Sequence, residues 1–202
     1  MKEKDESTEA KILKSARKVF VNKGFEGARM QEIADEAKIN KALLHYYFRS
    51  KERLFEAIFE EAMGKFVPKI FETFASKVDF FIKIENFVEN YIDLLLKNPL
   101  IPIFILQETN RNPDRIVNMI ISKGANPQLL QLLVQKEVDS GLIKPIESRQ
   151  LFVNILSMCV FPFAGRPLIQ GILFQNDKLE YEKFLVLRKK EVSSFIINSI
   201  KK

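Results

Sequence analysis

The side chains of this 202-residue sequence with the clearest chemistry lie between residues 40 and 51. If residues 41–47 form a helix, successive positions turn by about 100°. Ala42, His45 and Tyr46 then point away from Leu44, Lys41 sits at the side, and Leu44 and Phe48, one turn apart, face inward with Ile39. A cation, an imidazole, a phenol and a small side chain on one face suit contact with phosphate oxygens and base edges. Lys51 begins a further helical stretch, where free N–H groups and the helix dipole attract phosphate. Tyr47 falls nearer the core side and is expected to pack. Short helix pairs also serve as plain structure, and each of these residues reads equally as solvated surface, so spacing alone leaves both readings open.

Other chemistry finds little support. Ser15-Ala16-Arg17-Lys18 fits S-x-x-K, but its companion motifs are absent and it lies in an amphipathic helical stretch. There is no glycine-rich phosphate loop, H-E-x-x-H or Cys-x-x-Cys, and a single histidine excludes a multi-histidine metal site. No catalysis, metal or cofactor is expected. One cysteine, Cys159, excludes an internal disulfide framework and fits a reducing, cytoplasmic setting.

The net charge of +6 fits an anionic partner but does not locate one. Residues 1–60 hold 13 Lys/Arg against 11 Asp/Glu, and residues 61–202 hold 19 against 15, so the excess is diffuse. The residues after Met1 carry no apolar signal-peptide core. Residues 155–174 are long enough for a membrane span but contain Pro162, Arg166, Pro167 and Gln170, which favours a buried or interface helix and no membrane partner.

The elements that must position the candidate face read as helices throughout. Ser7 or Thr8 caps a first helix with apolar positions Ile12, Leu13, Ala16, Val19 and Phe20, and Gly24 stops it. Met30, Ile33, Ala34 and Ala37 mark a second, short helix. Asn40 caps a third, from Lys41 to about Tyr47, and Ser50 caps a fourth. Helices of two turns are marginal alone and must be held by packing. A capped short helix, a tight turn and a second short helix is the helix-turn-helix plan. The fold class is therefore all-α: a three-helix head over residues 1–54 and a helical body over 55–202. Apolar stripes run through about 79–97, 128–140, 147–165 and 180–200, and Pro102, Pro113 and Pro127 divide the middle. The fourth helix either continues past Pro68 or restarts there.

The series Gly24-Phe25-Glu26-Gly27-Ala28, Ile33-Ala34-Asp35-Glu36-Ala37, Asn40-Lys41-Ala42, Leu44-His45-Tyr46-Tyr47-Phe48 and Ser50-Lys51-Glu52-Arg53-Leu54 resembles the N-terminal signature of the tetracycline-repressor (TetR/AcrR) family, in register over about 47 residues. The resemblance implies a homodimeric transcriptional regulator of helical subunits that binds double-stranded operator DNA, with a variable body that often takes a small-molecule effector. Carried over by position, Gln31 and Lys41 would reach bases, and His45, Tyr46 and Lys51 would hold the backbone. Three positions depart from the pattern. Arg29 stands where a small hydroxyl residue is common, so a charged phosphate contact replaces a hydroxyl one. Lys38 stands where a turn glycine is frequent, and a left-handed backbone there carries a modest cost. His45 replaces the usual tyrosine.

The body is rich in phenylalanine, and most of these read as core. A cavity between helices lined by aromatics with a few polar groups is a common ligand site. Phe66, Phe104 and Phe161 with Gln107, Glu108 and Arg111 are the candidates for a hydrophobic or amphipathic inducer, although the polar members read equally as a solvated helix end. Residues 147–171 and 180–200 are apolar enough to pair with a second subunit, and two-fold symmetry then demands half-sites about 34–36 Å apart. The expected function is a repressor released from a palindromic operator by its inducer. The alternative is a helical carrier or scaffold without DNA binding.

Overall fold

The structure, a computed structural model, describes residues 7–111 and 113–202, with the side chains of Glu108 and Arg111 outside the description. Among the described residues it contains eleven α-helices and no strand beyond an isolated bridge between Ile143 and Lys201. They are α1 (Thr8–Gly27), α2 (Met30–Ala37), α3 (Lys41–Tyr47), α4 (Lys51–Ala75), α5 (Phe80–Lys97), α6 (Ile101–Arg111), α7 (Pro113–Ser122), α8 (Pro127–Asp139), α9 (Ser148–Ala164), α10 (Arg166–Leu173) and α11 (Lys178–Ile200). The chain forms two compact units, one up to Met63 and one from Gly64. The division falls inside α4.

In the first unit, Ser7 Oγ accepts from the Ala10 N–H (3.2 Å) and starts α1. Its stripe Ile12, Leu13, Ala16, Val19 and Phe20 is buried. Gly24 breaks the helical run with φ 71° and ψ 171°, a region that essentially only glycine occupies. The chain then resumes one short turn, to Gly27, so the expected stop is a kink. That kink turns Phe25 back to stack on Phe20 (5.6 Å), and Phe55 of α4 meets both edge-on at 5.3 and 5.5 Å. Each fully buried side chain of this kind contributes roughly 1.5–3 kcal/mol.

In the second unit, α4 runs unbroken through Pro68 to Ala75. Its last turn leaves the Phe74 carbonyl free, and the buried Lys83 reaches it with Nζ at 2.9 Å. The inward stripe of α5, with Phe80, Ile84, Phe87, Val88, Tyr91 and Leu95, packs mainly against α11 and α9. Phe66 stacks on Tyr91 at 5.0 Å, and Phe87 meets Phe74 and Phe152. An ion pair of 2.6 Å between Lys189 and Asp93 joins α11 to α5.

The apolar run from Ile155 onward does not form one helix. It breaks at Gly165, and α10 leaves at 74° to α9. No single helix among the described residues is long and apolar enough to cross a membrane. Two carbonyls near the break receive side chains from α11. Pro162 has no N–H, so the Met158 carbonyl lacks its helical donor, and Arg188 Nη2 supplies one at 2.9 Å. Tyr181 donates its hydroxyl to the Pro162 carbonyl.

Candidate nucleic-acid interface

The third helix is set by its ends. Asn40 Oδ1 accepts from the Leu43 N–H (2.7 Å), the cap expected from the sequence. The turn before it is closed by two bonds, Lys38 N–H to Asp35 O (3.1 Å) and Ile39 N–H to Ala34 O (3.0 Å). This closure forces Lys38 to φ 56° and ψ 44°, the left-handed conformation for which glycine is better suited. At the far end, the Phe48 N–H returns to the Leu44 carbonyl (2.8 Å), and Ser50 Oγ accepts from the Arg53 N–H to begin α4.

Leu44 and Phe48 are buried and Ile39 half-buried, so the helix is anchored along the side that the 100° spacing selects. Lys41, Ala42, His45 and Tyr46 are exposed, Tyr46 to 81%. Lys41 makes no ion pair among the described residues. His45 Nδ1 lies 3.3 Å from the Arg49 carbonyl. A carbonyl can only accept, so this contact is a hydrogen bond in the tautomer that carries its proton on Nδ1. Tyr47, expected to pack inward, is exposed and meets Tyr46 edge-on at 5.5 Å. Its position, three residues after Leu44, lies at the boundary of the buried face, where periodicity alone does not decide.

The flanking residues are more constrained. Gln31 is exposed, and its Nε2 donates to Asp35 Oδ1 (2.8 Å), which leaves the amide oxygen as its open group. Arg29 is exposed, and its backbone N–H donates to Glu32 Oε2 (3.2 Å). The Lys23 ammonium bonds the same carboxylate (2.7 Å) and, as the largest cause, holds it below the usual range. Lys51 is not a free surface lysine. Its Nζ lies 4.5 Å over the Phe25 ring and 3.5 Å from the Glu26 carbonyl. A phosphate reaching it would meet an ammonium fixed by its surroundings.

The effector candidates of the body are dispersed in character. Phe66 and Phe104 are half-buried, Gln107 is exposed, and Phe161 is 58% exposed on α9. Glu108 and Arg111 lie outside the described side chains. The same three late helices carry further exposed apolar side chains, which the sequence only partly announces. Val153 on α9, Leu168, Ile172 and Leu173 on α10, and Leu179, Val186, Leu187 and Phe195 on α11 are all exposed.

A capped two-turn helix presented by a three-helix unit, followed by an all-helical body, is the helix-turn-helix plan. Residues 12–58 match the profile of bacterial regulatory proteins of the tetR family. Over 59 residues the chain is 44% identical to the HTH-type transcriptional repressor NicS of Pseudomonas putida, covering 29% of this chain and 28% of that protein. It is 36% identical over 147 residues to the probable HTH-type transcriptional regulator YttP of Bacillus subtilis, covering 72% and 58% respectively. Both aligned stretches thus span less than two thirds of the relative. The fold agrees with that of the transcriptional regulator FadR from Bacillus subtilis, solved with stearoyl-CoA (TM-score 0.65, 18% identity, 93% of this chain and 96% of that one). Over residues 12–58 the chain is therefore similar to the tetR family of bacterial regulatory proteins, and the relatives it matches are named as transcriptional regulators.

Proposed function

We propose that the chain is a sequence-specific repressor that binds a palindromic operator as a homodimer and leaves it when a small hydrophobic or amphipathic effector occupies the body. The observation that carries this reading is the exposed face of Lys41, Ala42, His45 and Tyr46 on a helix fixed by Leu44 and Asn40. A helix so anchored presents its outer face as a unit to the major groove. Lys41 and the amide oxygen of Gln31 read base edges, and Arg29, His45, Tyr46 and the fixed Lys51 take phosphates. Two relatives named as repressors against one named as an activator favour repression over activation.

The exposed apolar band on α9, α10 and α11 supports the homodimer. A patch of this kind marks an interaction surface, and a two-fold operator asks for a second copy. The relative solved with stearoyl-CoA makes alkyl-chain compounds the first effectors to try. An effector that prefers the released state shifts the equilibrium; a coupling of about 1–3 kcal/mol lowers operator affinity roughly 5–150-fold.

The test is selection of bound DNA from a random pool with the purified full chain, followed by affinity measurement across salt. The expected result is an inverted repeat and an affinity that falls steeply with salt. Recovery of no preferred sequence by a folded dimer overturns the reading.

A further inference from the structure

The face that α3 turns outward has two unlike edges. With about 100° of turn per residue, Ala42 and Tyr46 straddle the direction opposite the buried Leu44, and Leu43 and His45 stand about 80° to either side of that direction. Both flanking residues are exposed, Leu43 to 36%. One turn before His45, on the same edge, is Lys41; one turn after Leu43, on the other, is Tyr47, and both are exposed. One edge of the helix therefore carries an ammonium and an imidazole, and the other carries an isobutyl group and a phenol ring.

A single exposed leucine is ordinary on a protein surface. Leu43 differs in how and where it is held. Its own N–H is the one that Asn40 Oδ1 accepts at 2.7 Å, so the cap that starts α3 fixes the Leu43 backbone directly. A helical side chain leans toward the start of its helix, and the early residues of a recognition helix are the ones that meet base edges. The chemistry of the groove then selects the partner. Leu43 has no donor or acceptor, so a phosphate oxygen or a base-edge nitrogen buried against it forfeits a hydrogen bond to water. The apolar group that the major groove displays is the 5-methyl of thymine.

We propose that Leu43 selects a thymine in each operator half-site by packing on its 5-methyl group. This rests on the operator-binding reading above and adds a contact that the polar residues of the face do not make. Lys41 and Gln31 read hydrogen-bonding groups, whereas Leu43 reads a methyl, and Tyr47 extends the same apolar edge.

The experiment starts from the operator recovered by selection. Each thymine in turn is replaced by deoxyuridine at the equivalent place in both half-sites, which removes one methyl from each and leaves the hydrogen-bonding groups of the base pair intact. Affinities are measured for the full chain and two variants. A buried methyl is worth about fourfold in affinity, so at one thymine the paired replacement should weaken wild type about 15-fold. In Leu43→Ala the unmodified operator should bind more weakly, and the same replacement should change affinity by less than about threefold. Leu43→Met keeps an apolar side chain of similar volume and should retain an effect of about fivefold or more, which separates lost packing from a damaged helix. The melting temperatures of both variants should stay with wild type, since the position is exposed. Half-sites without thymine, no thymine whose methyl matters to wild type, or a methyl effect in Leu43→Ala as large as in wild type each overturns the proposal while leaving operator binding in place. Recovery of no operator is a distinct failure: it overturns the operator-binding reading, and the Leu43 contact falls with it.

Discussion

The two units of the chain expose opposite kinds of surface. Outside the buried Leu44, α3 presents the ammonium of Lys41, an imidazole and two phenols, whereas α9, α10 and α11 present Phe161, Leu168, Leu173, Leu187 and Phe195. The first kind is comfortable in water and becomes useful when a polyanion replaces that water. The second kind is not comfortable in water and stays exposed only where another apolar surface covers it.

The comparison can be broken most severely from the inside. Leu44→Ala empties the position that anchors α3, and we expect a loss of about 3–5 kcal/mol in urea unfolding with loss of operator binding. A variant that unfolds normally would mean that α3 is held by something other than Leu44. On the body side, placing a carboxylate in the band with Leu187→Glu should weaken the dimer about 100-fold or more, read by sedimentation velocity, with the helical circular dichroism unchanged. A dimer of undiminished affinity would move the interface away from α11. Gly24→Ala puts a side chain at φ 71°, ψ 171° and should cost about 1–3 kcal/mol, although nothing lies within 4 Å of the new Cβ. Tyr46→Ala changes an exposed side chain. Operator affinity should drop by about 1–2 kcal/mol while the melting temperature stays within a degree or two. The smallest effect has the opposite sign: Lys38→Gly relieves the left-handed lysine and should raise stability by about 0.5–1 kcal/mol in the same urea assay.

The head was legible in the sequence because its geometry is written locally. Ser7, Asn40 and Ser50 each cap a helix within three residues, and Gly24 marks its own break. Even Lys38, the wrong residue for a left-handed turn, takes it because the bonds to Ala34 and Asp35 and the packing of Ile39 outweigh its preference. Gly24 still misled in one respect, since the helical turn that follows it depends on Phe25 finding Phe20 and Phe55. The body was less legible because its decisive contacts are distant in sequence. The bend at Gly165 is held by Tyr181 and Arg188, 19 and 30 residues beyond the carbonyls they bond, so a continuous apolar run reads as one helix. Phe161 and Phe195 have the helical spacing of core residues, and periodicity in one chain does not distinguish a core from an exposed apolar face. Glu108 and Arg111 belong to the one set of sequence candidates that lies partly outside the described side chains.

One feature of α3 bears on how such a protein changes over generations. Of its residues from Lys41 to Tyr47, only Leu44 is buried, and the caps that fix the helix, Asn40 and Phe48, lie outside it. The other positions of α3 can be replaced without opening the core or unfastening the helix. On the proposed reading, recognition and folding are thereby under separate control, so a descendant could acquire a new operator by substitutions that cost the protein little of its stability.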